Sequence, residues 1–323
     1  MIPAGANYSS CHQSFGVYMK RLAIVIPAYN EAEMIANAVL SLKKKAAEIK
    51  KNGYQLRIIV VNDGSKDETQ KQAEKAGADI VIRHKVNRGL GAAIRSGLQA
   101  AFDDDAEIAV KFDADLQHDP DDIIPLVSPI IKDEADIVYG KRFKRIEYRM
   151  PFVRRMGDLV FTTLMRFLTG WPLEDSQPGI FAVNRDYLRV FNLPGDYNYT
   201  QQVLLDAYYN SMRFVHVDVR FKKRETGKSF VNFRYPVKVG HQIILMLISF
   251  KPMKIFGSIG FLLLGSGAVI AAIEIVRWIR HFADKPIVHV NAVTVLLLSG
   301  FQLFIFGLLA ELIVTMHRTY RKR

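Results

Sequence analysis

The stretch KFDADLQHDP, residues 111–120, places acidic side chains directly after an apolar run that is typical of a strand. Asp113, Asp115 and Gln117 alternate along the chain, so in an extended segment their side chains project from one side. Three oxygen donors on one face can hold Mg²⁺ or Mn²⁺, because these ions prefer hard oxygen ligands. The alternative is a solvated acidic loop, since carboxylates this close repel one another.

The second half of the acidic stretch has the pattern of a helix start. Asp119 is predicted to be the N-cap, and Pro120 suits the first helical position. Asp121 and Asp122 then lie in the first turn, where the helix dipole favours negative charge. These acids are predicted to be structural.

The motif VNDGSKDETQ, residues 61–70, contains a second predicted helix start. Ser65 and Glu68 are spaced as a capping box. Asp63 is not explained by capping. At a strand end that faces a pocket, its carboxylate can accept hydrogen bonds from a base or a ribose.

Short β-branched runs alternate with amphipathic stretches over residues 20–230. The strand candidates are Leu22–Ile26, Leu56–Val61, Ile80–Ile82, Ile108–Phe112 and Ile137–Tyr139. The helix candidates are 31–51, 67–77, 90–102 and 121–132. This alternation predicts an α/β fold with a mostly parallel sheet covered on both faces. Such sheets bind ligands beyond the carboxyl ends of their strands, where PAYNE, NDGS, DADLQ and GKRF fall. The four clusters are therefore predicted to converge on one nucleotide pocket.

Composition narrows the function classes. There is no GxGxxG and no GxxxxGK[ST] motif, so dinucleotide-binding and P-loop functions lose their main support. The single Cys11 excludes an intrachain disulfide. The net charge of +12 indicates an anionic partner: nucleic acid, anionic lipid or a phosphorylated substrate. Nucleic acid is not expected, because the basic residues are dispersed and two apolar segments would stay unexplained.

Those two apolar segments lie near the C-terminus. No charged residue occurs from Ile255 to Ile273 or from Val290 to Ala310. Each run approaches the roughly 20 residues that cross a bilayer. We predict transmembrane helices at about 255–276 and 290–316, with two buried helices of a soluble domain as the alternative. The basic tail 318–323 favours a cell-membrane hairpin with both ends cytoplasmic.

The remaining segments complete the predicted organisation. Residues 1–18 lack the pattern of a signal peptide and are predicted to be a disordered extension. Residues 19–235 form the soluble domain, and 252–323 hold the two apolar helices. Between them, 236–251 is predicted to be an amphipathic helix on the membrane surface, or else a core helix of the soluble domain.

The motifs VIPAYNE, VNDGS, DADLQHDP, DSQPGIF and RETGKS occur in the order and approximate spacing of polyprenyl-phosphate glycosyltransferases. The chain resembles this family, which includes dolichyl-phosphate mannose synthases and bactoprenol glucosyltransferases, over residues 20–235. The resemblance implies a GT-A catalytic domain followed by a two-helix transmembrane hairpin. It also implies inverting transfer of one hexose from a nucleotide sugar to polyprenyl or dolichyl phosphate at the cytoplasmic membrane face. GDP-mannose is the favoured donor, UDP-glucose is a close second, and Mg²⁺ or Mn²⁺ is the implied cofactor.

The resemblance further assigns roles to individual residues. Those implied to bind the nucleotide and donor are Pro27, Tyr29, Glu31, Asp63, Asp113, Arg224 and Lys228. The implied metal ligands are Asp113, Asp115 and Gln117. The implied catalytic residues are Asp115, Arg142, Arg154 and Asp175, of which the two arginines would meet the acceptor phosphate. Further candidates are Gln201, Gln202 and His118.

The chain departs from the family pattern at two places. Many relatives carry an acid near Gln202. This chain has TQQV at that place, so no side chain there can act as a base. In the family, a turn of small residues usually follows a GSR motif. In this chain, KRFKRIEYR stands at that place. A missing base is acceptable, because a phosphate monoester with a second pKa of about 6 is largely dianionic at neutral pH.

Two alternative functions remain open. The enzyme would act on another lipid or on a polysaccharide acceptor, or the protein would be a catalytically silent membrane-anchored scaffold that binds a nucleotide sugar. Homo-oligomer formation is left open.

Overall fold

The computed structural model describes residues 19–141, 152–193, 196, 199–221 and 251–321, with backbone only at 152–154 and 317–321. The predicted extension 1–18 and nearly all of the predicted amphipathic helix 236–251 therefore lie outside the described residues. The chain divides into two compact units, residues 1–227 and 228–323, which are described separately.

The first unit is an α/β domain. Its strands are β1 Lys20–Ala28, β2 Tyr54–Asn62, β3 Ile80–Arg83, β4 Ala106–Lys111, β5 Ile137–Lys141, β6 Phe181–Asn184 and β7 Phe214–Asp218. Its helices are α1 Ile35–Lys43, α2 Ala46–Lys51, α3 Thr69–Lys75, α4 Leu90–Asp103, α5 Ile123–Ile131, α6 Phe152–Thr169, α7 Arg185–Val190 and α8 Tyr199–Tyr209. A short 3₁₀ helix, Pro120–Asp122, precedes α5.

The seven strands form one sheet in the order β3-β2-β1-β4-β6-β5-β7. β1 pairs in parallel with both β2 and β4, and β5 pairs in parallel with β7. Only β6 runs the other way among the described strands, pairing antiparallel with β4 and β5. The other six strands therefore present their carboxyl ends at one edge of the sheet.

The mostly parallel sheet and its first five strands confirm the sequence prediction, but two strands were not predicted. β6 has only four residues, FAVN, which are too few to show a period. β7, FVHVD, is also short, and the histidine at its centre interrupts the apolar run that would indicate a strand. The predicted helix 31–51 is interrupted, and α1 and α2 replace it.

Helix α4 packs closely against the centre of the sheet. Gly97 makes this approach possible, since a Cβ at that position would overlap Cγ1 of Val25 and lie 3.2 Å from Cγ2 of Val61. Val25 belongs to β1, whose residues Leu22 to Ile26 are fully buried. Because glycine has only a hydrogen atom in place of a side chain, α4 can lie directly against the sheet at Gly97.

The second unit contains two helices. A π-helical turn, Met253–Gly257, leads into α9 Ser258–Ile279, and α10 covers Val290–Arg321. Gly260 and Gly300 bring the two backbones together, because a Cβ on Gly260 would lie 2.7 Å from the Gly300 carbonyl oxygen. Both helices, taken as Met253–Ile279 and Val290–Met316, are long and apolar enough to cross a membrane.

Carboxylates close both ends of this helix pair. Glu274 accepts hydrogen bonds from the backbone N–H groups of Val288 at 2.8 Å and His289 at 3.2 Å. Its other oxygen lies 2.5 Å from Nδ1 of His289. At the opposite end, Glu311 accepts from the N–H of Met253 at 3.2 Å. The two acids therefore satisfy backbone donors near helix starts.

We expect Gly97→Ala to lower the free energy of unfolding by about 1–3 kcal/mol, because the added methyl group overpacks the contact between α4 and β1. Chemical unfolding of the purified protein in detergent would measure this. The matched control is Gly157→Ala in α6, where a Cβ meets nothing within 4 Å. That change should be neutral or stabilising by up to about 1 kcal/mol. Equal losses in both variants would contradict the packing argument.

Candidate active site

Polar residues from several loops meet at the carboxyl edge of the sheet. β1 and β2 end in register, Ala28 opposite Asn62, and the N–H of Asp63 donates to the carbonyl of Ala28 at 2.9 Å. β4 ends beside them, with Lys111 opposite Val25. The predicted convergence of PAYNE, NDGS and DADLQ at one edge is therefore what the fold produces.

The loops after β1 and β2 are tied to each other by hydrogen bonds. Ser65 Oγ accepts from the N–H of Asn30 at 2.9 Å, and Asn30 Oδ1 accepts from the N–H of Lys66 at 2.9 Å. Glu31 donates its N–H to Thr69 Oγ1 at 2.9 Å. The predicted capping box is wrong: α3 begins at Thr69, and the Ser65 hydroxyl joins two loops instead.

Three of the predicted nucleotide-binding residues lie at the end of β1 or on the loop that follows it. Pro27 is buried within the strand, Glu31 is half-buried, and Tyr29 is exposed. The exposed Tyr29 ring offers an apolar face at the edge of the sheet. Its contact with a base stays a prediction.

Asp63 is buried and organises the neighbouring segment 84–89. One carboxylate oxygen lies 2.6 Å from Nδ1 of His84 and accepts from the N–H of Arg88 at 3.0 Å. The other accepts from the N–H of Gly89 at 2.8 Å. His84 Nε2 lies 2.9 Å from Ser96 Oγ, on α4. Asp63 thus has a structural role that sequence reasoning did not foresee, and its contact with a base or ribose stays a prediction.

Asp113, Asp115 and Gln117 lie on the loop after β4. The extended conformation expected for them is wrong: Ala114 and Asp115 form a turn, and Leu116 has a left-handed φ of 54°. Asp115 Oδ1 accepts from the N–H of Gln117 at 3.2 Å, as Asp does in an Asx-turn. A local side-chain hydrogen bond therefore bends the chain where the alternation of residues suggested a straight segment.

The donor atoms on this turn fit a divalent ion. The described residues contain no group of three or more His, Cys, Asp or Glu side chains that could hold a metal. What the turn offers is two carboxylates and one amide, all hard oxygen donors, on partly exposed side chains. Mg²⁺ and Mn²⁺ suit such a set, since Mg²⁺ is commonly held by one or two carboxylates together with substrate phosphates.

Behind the turn lies Lys111, which the sequence analysis did not single out. Its side chain is 1% exposed, and its ammonium group lies 2.5 Å from Asp113 Oδ1 and 2.5 Å from the Gly179 carbonyl oxygen. Burial lowers the pKa of this amine, but the charge of Asp113 and the contacts with Asp113 and Tyr199 outweigh it and raise the pKa. Lys111 is therefore a buried cation beside the acidic turn. A lysine within the apolar run AVKF was the available signal.

The acids that follow the turn have the predicted structural role. Asp119 is the N-cap of the 3₁₀ helix and accepts from the N–H of Asp121 at 3.0 Å, with Pro120 in the first position. Arg220, after β7, pairs with Asp119 at 3.3 Å, and its backbone N–H donates a hydrogen bond to the carboxylate of Asp122 at 2.7 Å. The helix start and a basic partner together stabilise this negative charge.

The loop 175–179 lies beside Lys111. Asp175 is fully buried and accepts from the N–H of Gln177 at 2.9 Å. Gly179 approaches Asp113 so closely that a Cβ would lie 3.0 Å from its Oδ2 and would overlap Nε2 of His118. The structure thus brings Gly179, at the end of this loop, against Asp113 and His118. A contact of Asp175 with the sugar stays a prediction.

The remaining candidates fall into two groups. His118 is buried between Phe112 and Phe221, with ring centroids 6.4 and 5.1 Å away, and Gln201 and Gln202 are buried in α8. Their contact with a substrate stays a prediction. Arg142, Arg224 and Lys228 lie outside the described residues, as does the side chain of Arg154, so their roles stay predictions.

A mostly parallel sheet with paired aspartates on a turn at its carboxyl edge is the arrangement of a GT-A glycosyltransferase. Residues 23–191, more than half of the chain, match the family model described as glycosyl transferase family 2. The UDP-N-acetylglucosamine–dolichyl-phosphate N-acetylglucosaminyltransferase of Methanococcus voltae is 36% identical over 191 residues, which cover 54% of this chain and 73% of the relative. The chain belongs to glycosyl transferase family 2.

Two further similarities extend this result. The dodecaprenyl-phosphate galacturonate synthase of Rhizobium johnstonii is 27% identical over 318 residues, covering 93% of this chain and 88% of the relative. The crystal structure of glucosyl-3-phosphoglycerate synthase from Mycobacterium tuberculosis, in complex with Mn²⁺, UDP and phosphoglyceric acid, aligns with a TM-score of 0.56 at 21% identity. That alignment covers 71% of this chain and 78% of the crystallised chain. The likeness to the crystal structure concerns the fold.

His216, on β7, contacts Glu174, the residue that precedes the loop 175–179. Its Nε2 accepts from the N–H of Glu174 at 3.0 Å, and the Glu174 carboxylate pairs with Lys141 at 2.8 Å. Burial lowers the pKa of His216, although the charges of Asp175 and Glu174 act in the opposite direction. A neutral ring is required for Nε2 to accept this hydrogen bond.

This lowered pKa gives a pH dependence with a definite sign. The unfolded chain takes up a proton on His216 below about pH 6.5, while the folded chain resists it, so stability falls as the pH drops through that value. We expect Tm to decrease more from pH 7.5 to 5.5 in the wild type than in His216→Gln. Thermal unfolding at both pH values would measure the difference. The exposed His281→Gln should keep the wild-type slope, and equal slopes in all three proteins would contradict the argument.

Proposed function

We propose that the protein transfers a single sugar from a nucleotide sugar to a polyprenyl phosphate at the cytoplasmic face of the cell membrane. The observation that carries the proposal is the turn with Asp113 and Asp115 at the carboxyl edge of the sheet, in a family 2 chain that ends in two apolar helices. A lipid acceptor accounts for those helices, since the substrate and the enzyme then share one surface.

The relatives bear on the choice of donor. The Methanococcus voltae relative is named for UDP-N-acetylglucosamine and dolichyl phosphate, and the Rhizobium johnstonii relative for galacturonate and dodecaprenyl phosphate. The first of these names favours a uridine diphosphate sugar over the GDP-mannose that the family resemblance suggested, and neither name contains mannose. The acceptor class is the same in both relatives, which supports a polyprenyl phosphate here.

On the donor side, the chain supplies oxygen ligands. Asp113, Asp115 and Gln117 would hold a divalent ion, which when bound acts as a Lewis acid on the departing diphosphate. Lys111 reduces the repulsion between the acidic turn and an anionic donor, because it contributes a buried positive charge at 2.5 Å from Asp113. The turn can therefore accept a diphosphate that the carboxylates alone would repel.

On the acceptor side, no general base is required. A phosphate monoester is largely dianionic at neutral pH and can attack the anomeric carbon directly, which inverts its configuration. What the reaction needs is alignment of two anions. Arg142 and Arg154 are proposed to grip the acceptor phosphate, because a guanidinium forms forked, charge-assisted hydrogen bonds.

Two other functions fit part of the observations. A family 2 enzyme that acts on another lipid or on a polysaccharide would use the same donor site. A silent scaffold would bind the nucleotide sugar without transferring it. Product analysis separates the first alternative from the proposal, and binding without turnover identifies the second.

The direct test is a transfer assay. Detergent-solubilised protein is incubated with Mn²⁺ or Mg²⁺, a polyprenyl phosphate and one labelled donor at a time: UDP-N-acetylglucosamine, UDP-glucose or GDP-mannose. Label should enter the lipid phase from one uridine diphosphate sugar. Transfer from GDP-mannose alone would overturn the donor choice, and transfer from none with intact binding would favour the scaffold.

Asp115→Ala should reduce transfer by about 100-fold or more, because it removes a ligand that stabilises the leaving diphosphate. The matched control is Asp121→Ala, which removes a carboxylate from the same acidic stretch. Asp121 pairs with Arg220 at 3.5 Å and with Lys45, and it belongs to the helix start. The control should retain transfer within about threefold. Similar losses in both variants would count against a specific role for Asp115.

Arg142→Lys should raise the KM for polyprenyl phosphate by about tenfold while the KM for the donor stays unchanged, since lysine cannot reproduce forked binding of a phosphate. Steady-state kinetics with each substrate varied in turn would measure both constants. Arg155→Lys in α6, an exposed arginine, is the control and should leave both constants unchanged. A change confined to the KM for the donor would contradict this role and indicate that Arg142 binds the donor instead.

A further inference from the structure

Lys111 is the charged side chain in the sheet whose burial most needs an explanation. It is the last residue of β4 and is 1% exposed. Removing an ammonium group from water is costly unless it is paired and hydrogen-bonded. A strand position between apolar residues would hold a valine or an isoleucine at lower cost, so packing alone does not explain a lysine here.

The partners of Lys111 come from three separate parts of the chain. The ammonium group donates to Asp113 Oδ1 and to the Gly179 carbonyl, both at 2.5 Å. It also lies 5.5 Å from the centre of the Tyr199 ring, at the start of α8, which is within the range of a cation–π contact. Lys111 therefore joins the acidic turn to the loop 175–179 and to α8.

The contact with Asp113 restricts that carboxylate. One oxygen is held by Lys111, while the other faces Gly179 at a place where even a methyl group would be crowded. The Asp113 side chain is nevertheless 28% exposed, so part of it reaches the open edge of the sheet. A side chain held on two sides and open on the third has a defined orientation toward whatever binds there.

We infer that Lys111 is a positioning residue, which fixes the orientation of Asp113 for binding of the donor diphosphate. The inference rests on the proposed function and deepens it, because it assigns the donor site a buried cation as its support. Lys111 acts through Asp113 and does not itself touch the donor. Its removal should therefore matter only where Asp113 is present.

A double-mutant cycle tests this dependence. The four full-length proteins are the wild type, Lys111→Met, Asp113→Asn and the double variant, and the readout is the Kd for UDP, or for GDP, in the presence of Mn²⁺. Isothermal titration calorimetry in detergent measures it without turnover. Each single variant should bind about tenfold more weakly, the usual loss when support of a ligand is removed. The double variant should bind no more weakly than Asp113→Asn.

A distant ion pair provides the control for a general loss of stability. Arg57 contacts Asp104 at 2.8 Å and Asp79 at 3.0 Å near the start of β2, away from the carboxyl edge. Arg57→Met should lower Tm but leave the Kd within about twofold, since distant sites act independently. Combined with Asp113→Asn, it should give additive effects, unlike Lys111→Met.

The outcomes separate the inference from the proposed function. Wild-type binding that is unchanged in Lys111→Met overturns the positioning role, as does a double variant about tenfold weaker than Asp113→Asn. If Lys111→Met does not fold, the comparison of Asp113→Asn with the double variant still decides, because the double variant leaves no buried charge. A wild type that binds neither UDP nor GDP contradicts the proposed function, and the positioning role is then rejected with it.

Discussion

Carboxylates that share one edge of a sheet repel one another, and the loops at this edge are arranged around that constraint. Asp113 is held by the buried Lys111. Asp119 and Asp122 pair with Arg220, and their segment starts a helix. Asp63 instead takes hydrogen bonds from backbone N–H groups and from His84. Each of these acids thus has its own form of compensation.

The parallel part of the sheet followed from the sequence because short β-branched runs alternate with amphipathic stretches long enough to form helices. The convergence of polar loops at one edge of the sheet followed as well, since polar motifs lie directly after those runs. β6 could not be predicted, because four residues show no period and its antiparallel direction depends on pairing partners distant in sequence. Local hydrogen bonds account for two other errors. Asp115 bends a segment that was expected to be straight, and Ser65 bonds to Asn30 across 35 positions rather than capping its own helix.

The residues that hold the candidate site's loops in place were the hardest to predict from the sequence. Lys111 looks like an isolated charge in an apolar run, and only the fold shows that Gly179 and Tyr199 converge on it. His84 and His216 are similar cases: neither belongs to a recognisable motif, yet each fixes a loop that carries candidate residues. Motifs identify the atoms that meet a substrate, whereas the residues that hold those atoms in place depend on contacts between distant segments.

The hydrogen bonds of Asp63 have a consequence for ligand entry. Because its carboxylate binds the N–H groups of Arg88 and Gly89, and Gly64 packs directly on the backbone of Val86, the segment 84–89 is built into the wall of the sheet edge. A ligand that meets this wall need not order it, so little conformational entropy is lost there on binding. A ligand bound at this side of the sheet edge would therefore meet a surface whose shape is set before binding.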